Sequence, residues 1–285
     1  MGKGNQTKSS DYREPLVSVV VTTKNEARVL GRLLKSVRAQ SYKNIEIIVV
    51  DNHSSDSTPK IARKFTSKVY QLGPERSVQR NYGVKRAQGE LVLILDADME
   101  LSTGVVGEAV ELAQGDKTVG AVVIPEESIT KSFWERVKAF ERSFYNIEGD
   151  ITTDAARFFA KSVFEKLGGY DEKITGPEDW DLPERAREAG YKIGRIKTKI
   201  YHYERIPSLF SLARKKYYYA LKSYPYLKKH KISVVSPKTV YFLRPVFYKN
   251  WRILLSHPIL STAMFIMLTL ENLAGAVGFL IGRLK

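Results

Sequence analysis

The 285-residue chain has no cysteine. Disulfides and thiolate metal sites are therefore excluded, and any cation must be held by oxygen and imidazole donors. Acidic side chains are in deficit: 31 Asp and Glu stand against 46 Lys and Arg, a formal charge of +15. Such an excess calls for nucleic acid, anionic lipid or phosphorylated small molecules. No RNA-recognition, KH or zinc-finger signature accompanies it, so nucleic acid is not expected and lipid accounts for the charge. The opening stretch MGKGNQTKSSDYREP lacks an apolar segment of signal-peptide type and reads as a flexible lead-in over 1–15. Internal repeats and low-complexity tracts are absent as well. With 43% apolar residues, the chain can bury one sizeable core, with or without an appendage.

The first half alternates strand and helix signals. LVSVVVTT, NIEIIVVD, KVYQLG and ELVLILD read as strands, the longer ones apolar enough to be covered on both faces. Between them lie NEARVLGRLLKSVRAQ, SDSTPKIARKFT and SVQRNYGVKRAQG, read as helices, the last stopped by Gly89. This order predicts an α/β fold with a mainly parallel central sheet and helices on both faces. After Gly104 the pattern becomes α+β, with a helix expected over about 132–146. The expected units are a half over about 16–104, a second half over about 105–230, and a helical tail over 231–285.

The tail carries one long apolar run, His257 to Arg283, long enough to cross a bilayer. Glu271 and Asn272 in its middle argue against a simple crossing. Basic residues flank it, with Arg244, Lys249 and Arg252 before and Arg283 and Lys285 after, which favours both ends on the cytoplasmic face. The expectation is a monotopic or re-entrant helical hairpin on that face of the membrane, the alternative being an ordinary docked helix or a subunit interface. Gly278 and Gly282 form a GxxxG spacing that suits close helix contact.

In parallel sheets ligands gather at the carboxyl ends of the strands. Polar clusters fall at three such ends: Thr22–Glu26, Asp51–Asp56 and Asp96–Asp98. An Asp-x-Asp ending a buried strand can offer one carboxylate to a divalent cation and the other to a ribose or a metal-bound water, which suits Mg²⁺ or Mn²⁺ holding a diphosphate.

Three segments then carry a resemblance: VSVVVTTKNEARVLGRLLKSVRAQSYKNIEIIVVDNHSSDST, ERSVQRNYGVKRAQGELVLILDADM and GGYDEKITGPEDWDLPERAREAG. Together, over about 16–204 and in the right order, they resemble the family 2 glycosyltransferases. The resemblance implies a GT-A fold (Rossmann-like, with a nucleotide-binding half and an α+β acceptor half). It also implies transfer of a sugar from a nucleotide-diphosphate donor, with inversion at the anomeric carbon. On that reading Thr22, Asn25 and Glu26 meet the nucleoside, although Asn25 would equally suit a helix cap. Asp51 accepts from the base, for which uracil and guanine offer a ring N–H, hence a UDP or GDP donor. Arg80 meets the phosphates or shapes the donor pocket, and Arg76 is either a partner in this or a surface charge. Asp98 is the first metal ligand, Asp96 contacts ribose or sugar, and His202 is an additional ligand or a structural histidine.

Within PEDWDL, Asp179 is the expected base and Glu178 a residue orienting the acceptor, since an attacking hydroxyl must lose its proton. Alternatively these acids cap the following helix and favour its dipole, a role that Asp181 fits well. The basic, tyrosine-rich SLARKKYYYA would bind the diphosphate of donor or lipid acceptor, or form an interfacial helix. The expected function is metal-dependent, inverting sugar transfer to a hydroxyl of a lipid-linked or membrane glycolipid acceptor. The alternative is a polyprenyl-phosphate glycosyl synthase, whose phosphate acceptor arrives ionised and needs no base.

Overall fold

In the computed structural model, residues 14–149 and 154–284 are described, so all but the end of the expected lead-in lies outside them. The apolar runs become strands: β1 (Val17–Thr23), β2 (Ile45–Asp51), β3 (Val69–Gln71) and β4 (Leu91–Asp96). They alternate with α1 (Leu30–Arg38), α2 (Thr58–Ala62) and α3 (Arg76–Arg86). Next come β5 (Met99–Leu101), α4 (Val105–Gly115), β6 (Val119–Val123), β7 (Glu126–Ile129) and α5 (Phe133–Glu148). The second half continues with β8 (Ala156–Ala160), α6 (Lys161–Lys166), α7 (Glu178–Glu188), β9 (Lys192–Arg195) and β10 (Ile200–Tyr203). Then come α8 (Leu209–Leu221) and α9 (Tyr224–Lys229), and the tail holds α10 (Pro245–Lys249), α11 (Trp251–Ser256) and α12 (Pro258–Leu284).

Seven strands form the central sheet in the order β3-β2-β1-β4-β8-β6-β9, in which β8 alone runs against its neighbours. Alternate residues of β1 and β4 serve opposite faces. Val19, Val21, Leu93 and Leu95 pack with Leu33 and Leu34 of α1, and Val20, Val92 and Ile94 with Val84 of α3 and Leu182 of α7. That two-sided burial explains the continuous apolar runs. Register sets Thr22 opposite Asp96 and Thr23 opposite Asp51, so the polar strand ends meet at one edge. A second sheet, β5-β10-β7, stands beside that edge and pairs His202 with Met99 and Ser128.

Local expectations need three corrections. The first helix begins at Leu30, several residues after Asn25, because Asn25 takes a left-handed φ of 54°. Helix α3 ends at Arg86, and Gly89 lies beyond it, where a Cβ would collide with the Leu16 carbonyl. The tail is no hairpin: α12 is one continuous helix, about 40 Å long at 1.5 Å per residue.

Glycines bring α12 against α8. A Cβ at Gly278 or Gly282 would collide with the backbone carbonyl of Tyr217 or Leu221, so the GxxxG spacing makes an intramolecular contact. Glu271 is buried within 3.3 Å of Lys138 Nζ on α5, which neutralises the charge that interrupts the apolar run. Val137, Phe144, Leu212, Phe247, Met264 and Met267 share one core, which joins the segment after residue 231 to α5 and α8. Outward, Ile259, Ile266, Leu273 and Leu280 recur every seven residues, flanked by Leu270, Val277 and Leu284, all exposed. Arg244 is not a flanking surface charge: it is buried, 3.6 Å over the Tyr241 ring, with Nε donating to the Pro237 carbonyl.

Candidate active site

The ends of β1 and β2 are tied together by short polar side chains. Asp51 has no exposed surface, and its carboxylate accepts from Thr23 Oγ1 (2.7 Å), Ser54 N (2.8 Å) and Ser54 Oγ (2.6 Å). It therefore braces the loop after β2 instead of presenting a free carboxylate to a base. Asn25 Oδ1 accepts from Ser55 N (2.9 Å), and Asn25 N donates to Ser54 Oγ (2.7 Å), so this side chain organises the loop and caps no helix. Thr22 is buried beside Asp96 in the sheet. The Glu26 amide donates to Thr58 Oγ1 (2.7 Å), and its carboxylate faces Arg205 at 2.8 and 3.1 Å.

Arg80 is fully buried and its guanidinium joins two sequence motifs. Nη2 lies 2.9 Å from Asp96 Oδ1 and Nη1 lies 2.6 Å from Asp179 Oδ1. With no exposed surface it positions carboxylates and does not reach out to a diphosphate, which corrects the first of the two sequence expectations, contact with the phosphates. Glu178 is also buried. One carboxylate oxygen accepts from the Gly176 amide, and the other faces Arg76 Nη2 at 3.2 Å and Arg80 Nη1 at 3.7 Å. Its placement supports holding the arginines, not touching an acceptor. Burial, reinforced by Asp179, pushes the Glu178 carboxyl up. Arg76 is thus more than a surface charge, since it also donates to Tyr219 Oη at 3.3 Å. Asp179 stays about one-fifth exposed.

Arg157 extends the network, with Nη1 3.6 Å from Asp96 Oδ2 and Nη2 2.7 Å from Glu126 Oε1. Burial would raise the Asp96 carboxyl, but Arg80, Arg157 and Arg76 overcome it and hold the group far below the usual carboxylate range. Sequence reading missed Arg157 and Glu126. The available signal was a lone charge inside the apolar strand ARFFA, which seldom survives burial without a partner.

Asp98, in the turn between β4 and β5, meets His202 of β10, with Nε2 3.5 Å from Oδ2. Arg205 Nη2 donates to the same oxygen at 2.8 Å. Burial would raise the Asp98 carboxyl, yet His202 and Arg205 hold it well below its ordinary value. Arg142 lies 2.5 Å from His202 Nδ1 and 2.7 Å from Glu204 Oε1. Because an arginine only donates, Nδ1 accepts and the ring proton sits on Nε2. Nε2 is the ring nitrogen that would face a cation held beside Asp98, and Glu126 Oε2 stands 3.6 Å from Nδ1. No group of three or more ligating side chains occurs among the described residues. Asp98 and His202 supply one oxygen and one nitrogen donor. That set fits a hard divalent cation such as Mn²⁺ or Mg²⁺, which would need further oxygen donors from outside the protein.

A cavity of about 950 Å³ opens beside this cluster. Its walls include Asp98, His202, Arg205 and Trp180 together with Phe279 and Leu280 of α12. Trp180 also packs with Ile174, Tyr226 and Phe279, so it serves both as wall and as core.

A mixed, mostly parallel sheet with acidic strand ends gathered beside a small second sheet defines the class of fold: it is the GT-A fold. Residues 18–168 match the family described as Glycosyl transferase family 2, just over half of the chain, and the chain belongs to that family. Among curated relatives, the GalNAc(5)-diNAcBac-PP-undecaprenol beta-1,3-glucosyltransferase of Campylobacter jejuni is 34% identical over 109 residues, covering 35% of each chain. The beta-monoglucosyldiacylglycerol synthase of Trichormus variabilis is 27% identical over 191 residues, covering 59% of this chain and 40% of that one. The chain thus spans well under half the length of these two relatives. Among solved structures, the mannosyltransferase PcManGT of Pyrobaculum calidifontis in complex with GDP-Man and Mn²⁺ superimposes with a TM-score of 0.63. That pair is 20% identical over 94% of this chain and 88% of the other, a likeness of fold.

Proposed function

We propose that the enzyme is an inverting, metal-dependent glycosyltransferase that moves a sugar from UDP or GDP to a hydroxyl of a lipid-linked acceptor at the cytoplasmic face of a membrane. The observation that carries this reading is the single cavity walled both by Asp98 and His202 and by apolar residues of α12. Such a space suits a substrate polar at its reacting end and hydrocarbon behind it. The exposed stripe on α12 supports a monotopic seat on the bilayer. The undecaprenol and diacylglycerol in the relatives' names point the same way.

In this reading Asp179 takes the proton of the attacking hydroxyl. Arg80 occupies one of its oxygens and fixes the carboxylate relative to Asp96. Asp96 contacts the ribose or the transferred sugar. Thr22, Asn25, Glu26 and Asp51 shape the nucleoside side. Asp98 and His202 would hold the cation, which neutralises charge on the departing diphosphate. Glu178 and Arg76 keep the arginine pair in place. The cations lining the cavity favour one alternative, direct transfer onto a polyprenyl phosphate, which needs no base.

Asp179→Asn keeps the size of the side chain and removes the proton acceptor. Nucleotide affinity should persist while transfer falls about 10²-fold or more. A titration calorimetry isotherm beside a turnover assay measures both. Near wild-type turnover would give the advantage to the phosphate acceptor.

A further inference from the structure

Arg205 lies across the edge where the strand ends meet. Nη1 donates to Glu26 Oε2 at 2.8 Å, and Nη2 to Asp98 Oδ2 at 2.8 Å and Glu26 Oε1 at 3.1 Å. Glu26 follows β1 and Asp98 follows β4, which are neighbours in the sheet. One guanidinium thus bridges the loop on the nucleoside side and the carboxylate that would hold the cation. Arg80 and Arg157 are buried among carboxylates, and Arg142 is taken up by His202 and Glu204. The Arg205 side chain instead stays 49% exposed and lines the cavity beside Asp98 and His202. The backbone on either side of it is anchored. The Glu204 amide donates to the Ile129 carbonyl at 3.0 Å and the Ile206 amide to Glu135 Oε1 at 3.4 Å. The guanidinium can therefore change partners by side-chain rotation while the segment stays in place.

Asp98 Oδ2 is also the oxygen that His202 Nε2 faces at 3.5 Å. A divalent cation shared by Asp98 and His202 would need that oxygen, and a guanidinium left on it would oppose a like charge at close range. We propose that Arg205 is a donor-binding residue that exchanges partners: it neutralises Asp98 until the cation arrives, yields Oδ2 to it, and closes its freed donors on the diphosphate of the nucleotide sugar. The proposal rests on the metal-dependent reading above and deepens it. Nη1 remains tethered to Glu26, which keeps the guanidinium at the same edge. A planar fork of donors suits phosphate oxygens better than a single ammonium does. Arg205 would supply the phosphate contact that the buried Arg80 does not make.

The test uses the full chain in detergent, as wild type, Arg205→Met and Arg205→Lys. Electron paramagnetic resonance of Mn²⁺ measures ion binding without nucleotide, and titration calorimetry measures UDP and GDP binding with and without Mn²⁺. Removing the guanidinium should move the two affinities in opposite directions. Arg205→Met should bind Mn²⁺ alone more tightly than wild type, because its competitor for Oδ2 is gone. With Mn²⁺ present it should bind the nucleoside diphosphate about tenfold or more weaker, the scale of one charge-assisted hydrogen bond. The loss should be smaller for the nucleoside monophosphate, and Arg205→Lys should fall between the two proteins. Thermal unfolding checks that the variants fold. A residue that only braced the loops would lower both affinities together, and that result overturns the exchange. So does undiminished diphosphate affinity in Arg205→Met, or Mn²⁺ binding no tighter than wild type. Wild type that binds UDP and GDP equally with and without Mn²⁺ overturns the metal-dependent reading itself, and the exchange with it.

Discussion

At the residue scale, the site is a set of carboxylates held by buried arginines. Asp96, Asp98 and Glu126 all have their carboxyls below the usual range. A group depressed in the folded state contributes stability that is fully present above its unfolded value, about pH 4, and is lost as pH falls toward the folded value. The fold should therefore weaken below about pH 4. Arg80→Met removes the charge that holds Asp96 and Asp179, leaving buried carboxylates uncompensated. We expect a loss of about 3–5 kcal/mol at pH 7 that shrinks in acid as those carboxylates protonate. Urea titrations at neutral and acidic pH measure it, and an equal loss at both would contradict the network. The paired aspartates of LVLILDADM were legible because a buried strand ending on two carboxylates is chemically unusual. Arg80 was assigned to the donor because sequence shows that a charge is near a motif, not whether it faces a cavity or the core.

At the element scale, the β/α alternation of the first half could be read directly, since strands covered on both faces leave continuous apolar runs. The tail was misread as a hairpin because Glu271 breaks the run, and its partner Lys138 lies on α5, far back in the chain. Helix–helix contact through Gly278 and Gly282 was legible as spacing, but the partner helix was not. Gly278→Val would drive a side chain into the Tyr217 carbonyl, a backbone group with little room to yield. We expect about 1–3 kcal/mol of destabilisation, with Val277→Ala on the exposed face within about 0.5 kcal/mol of wild type. Chemical denaturation compares the two, and equal stability would mean that α12 does not depend on this contact.

At the scale of the whole molecule, the +15 charge and the outward stripe of α12 act together. Because α12 shares a core with α5 and α8, deleting the tail would unmake part of the domain, so point changes are the better probe. Replacing Ile266, Leu273 and Val277 by serine should reduce co-sedimentation with anionic vesicles by about tenfold or more, while the unfolding temperature holds. Unchanged sedimentation would remove the stripe from membrane binding. The central claim, sugar transfer to a lipid, is tested most directly by incubating the enzyme with radiolabelled UDP- and GDP-sugars, Mn²⁺ and a membrane-lipid extract, then partitioning the label between water and chloroform–methanol. The account predicts label in the organic phase that requires both enzyme and extract and is nearly lost in Asp179→Asn. Label that stays in water as free sugar, or moves to a soluble acceptor without extract, would contradict it.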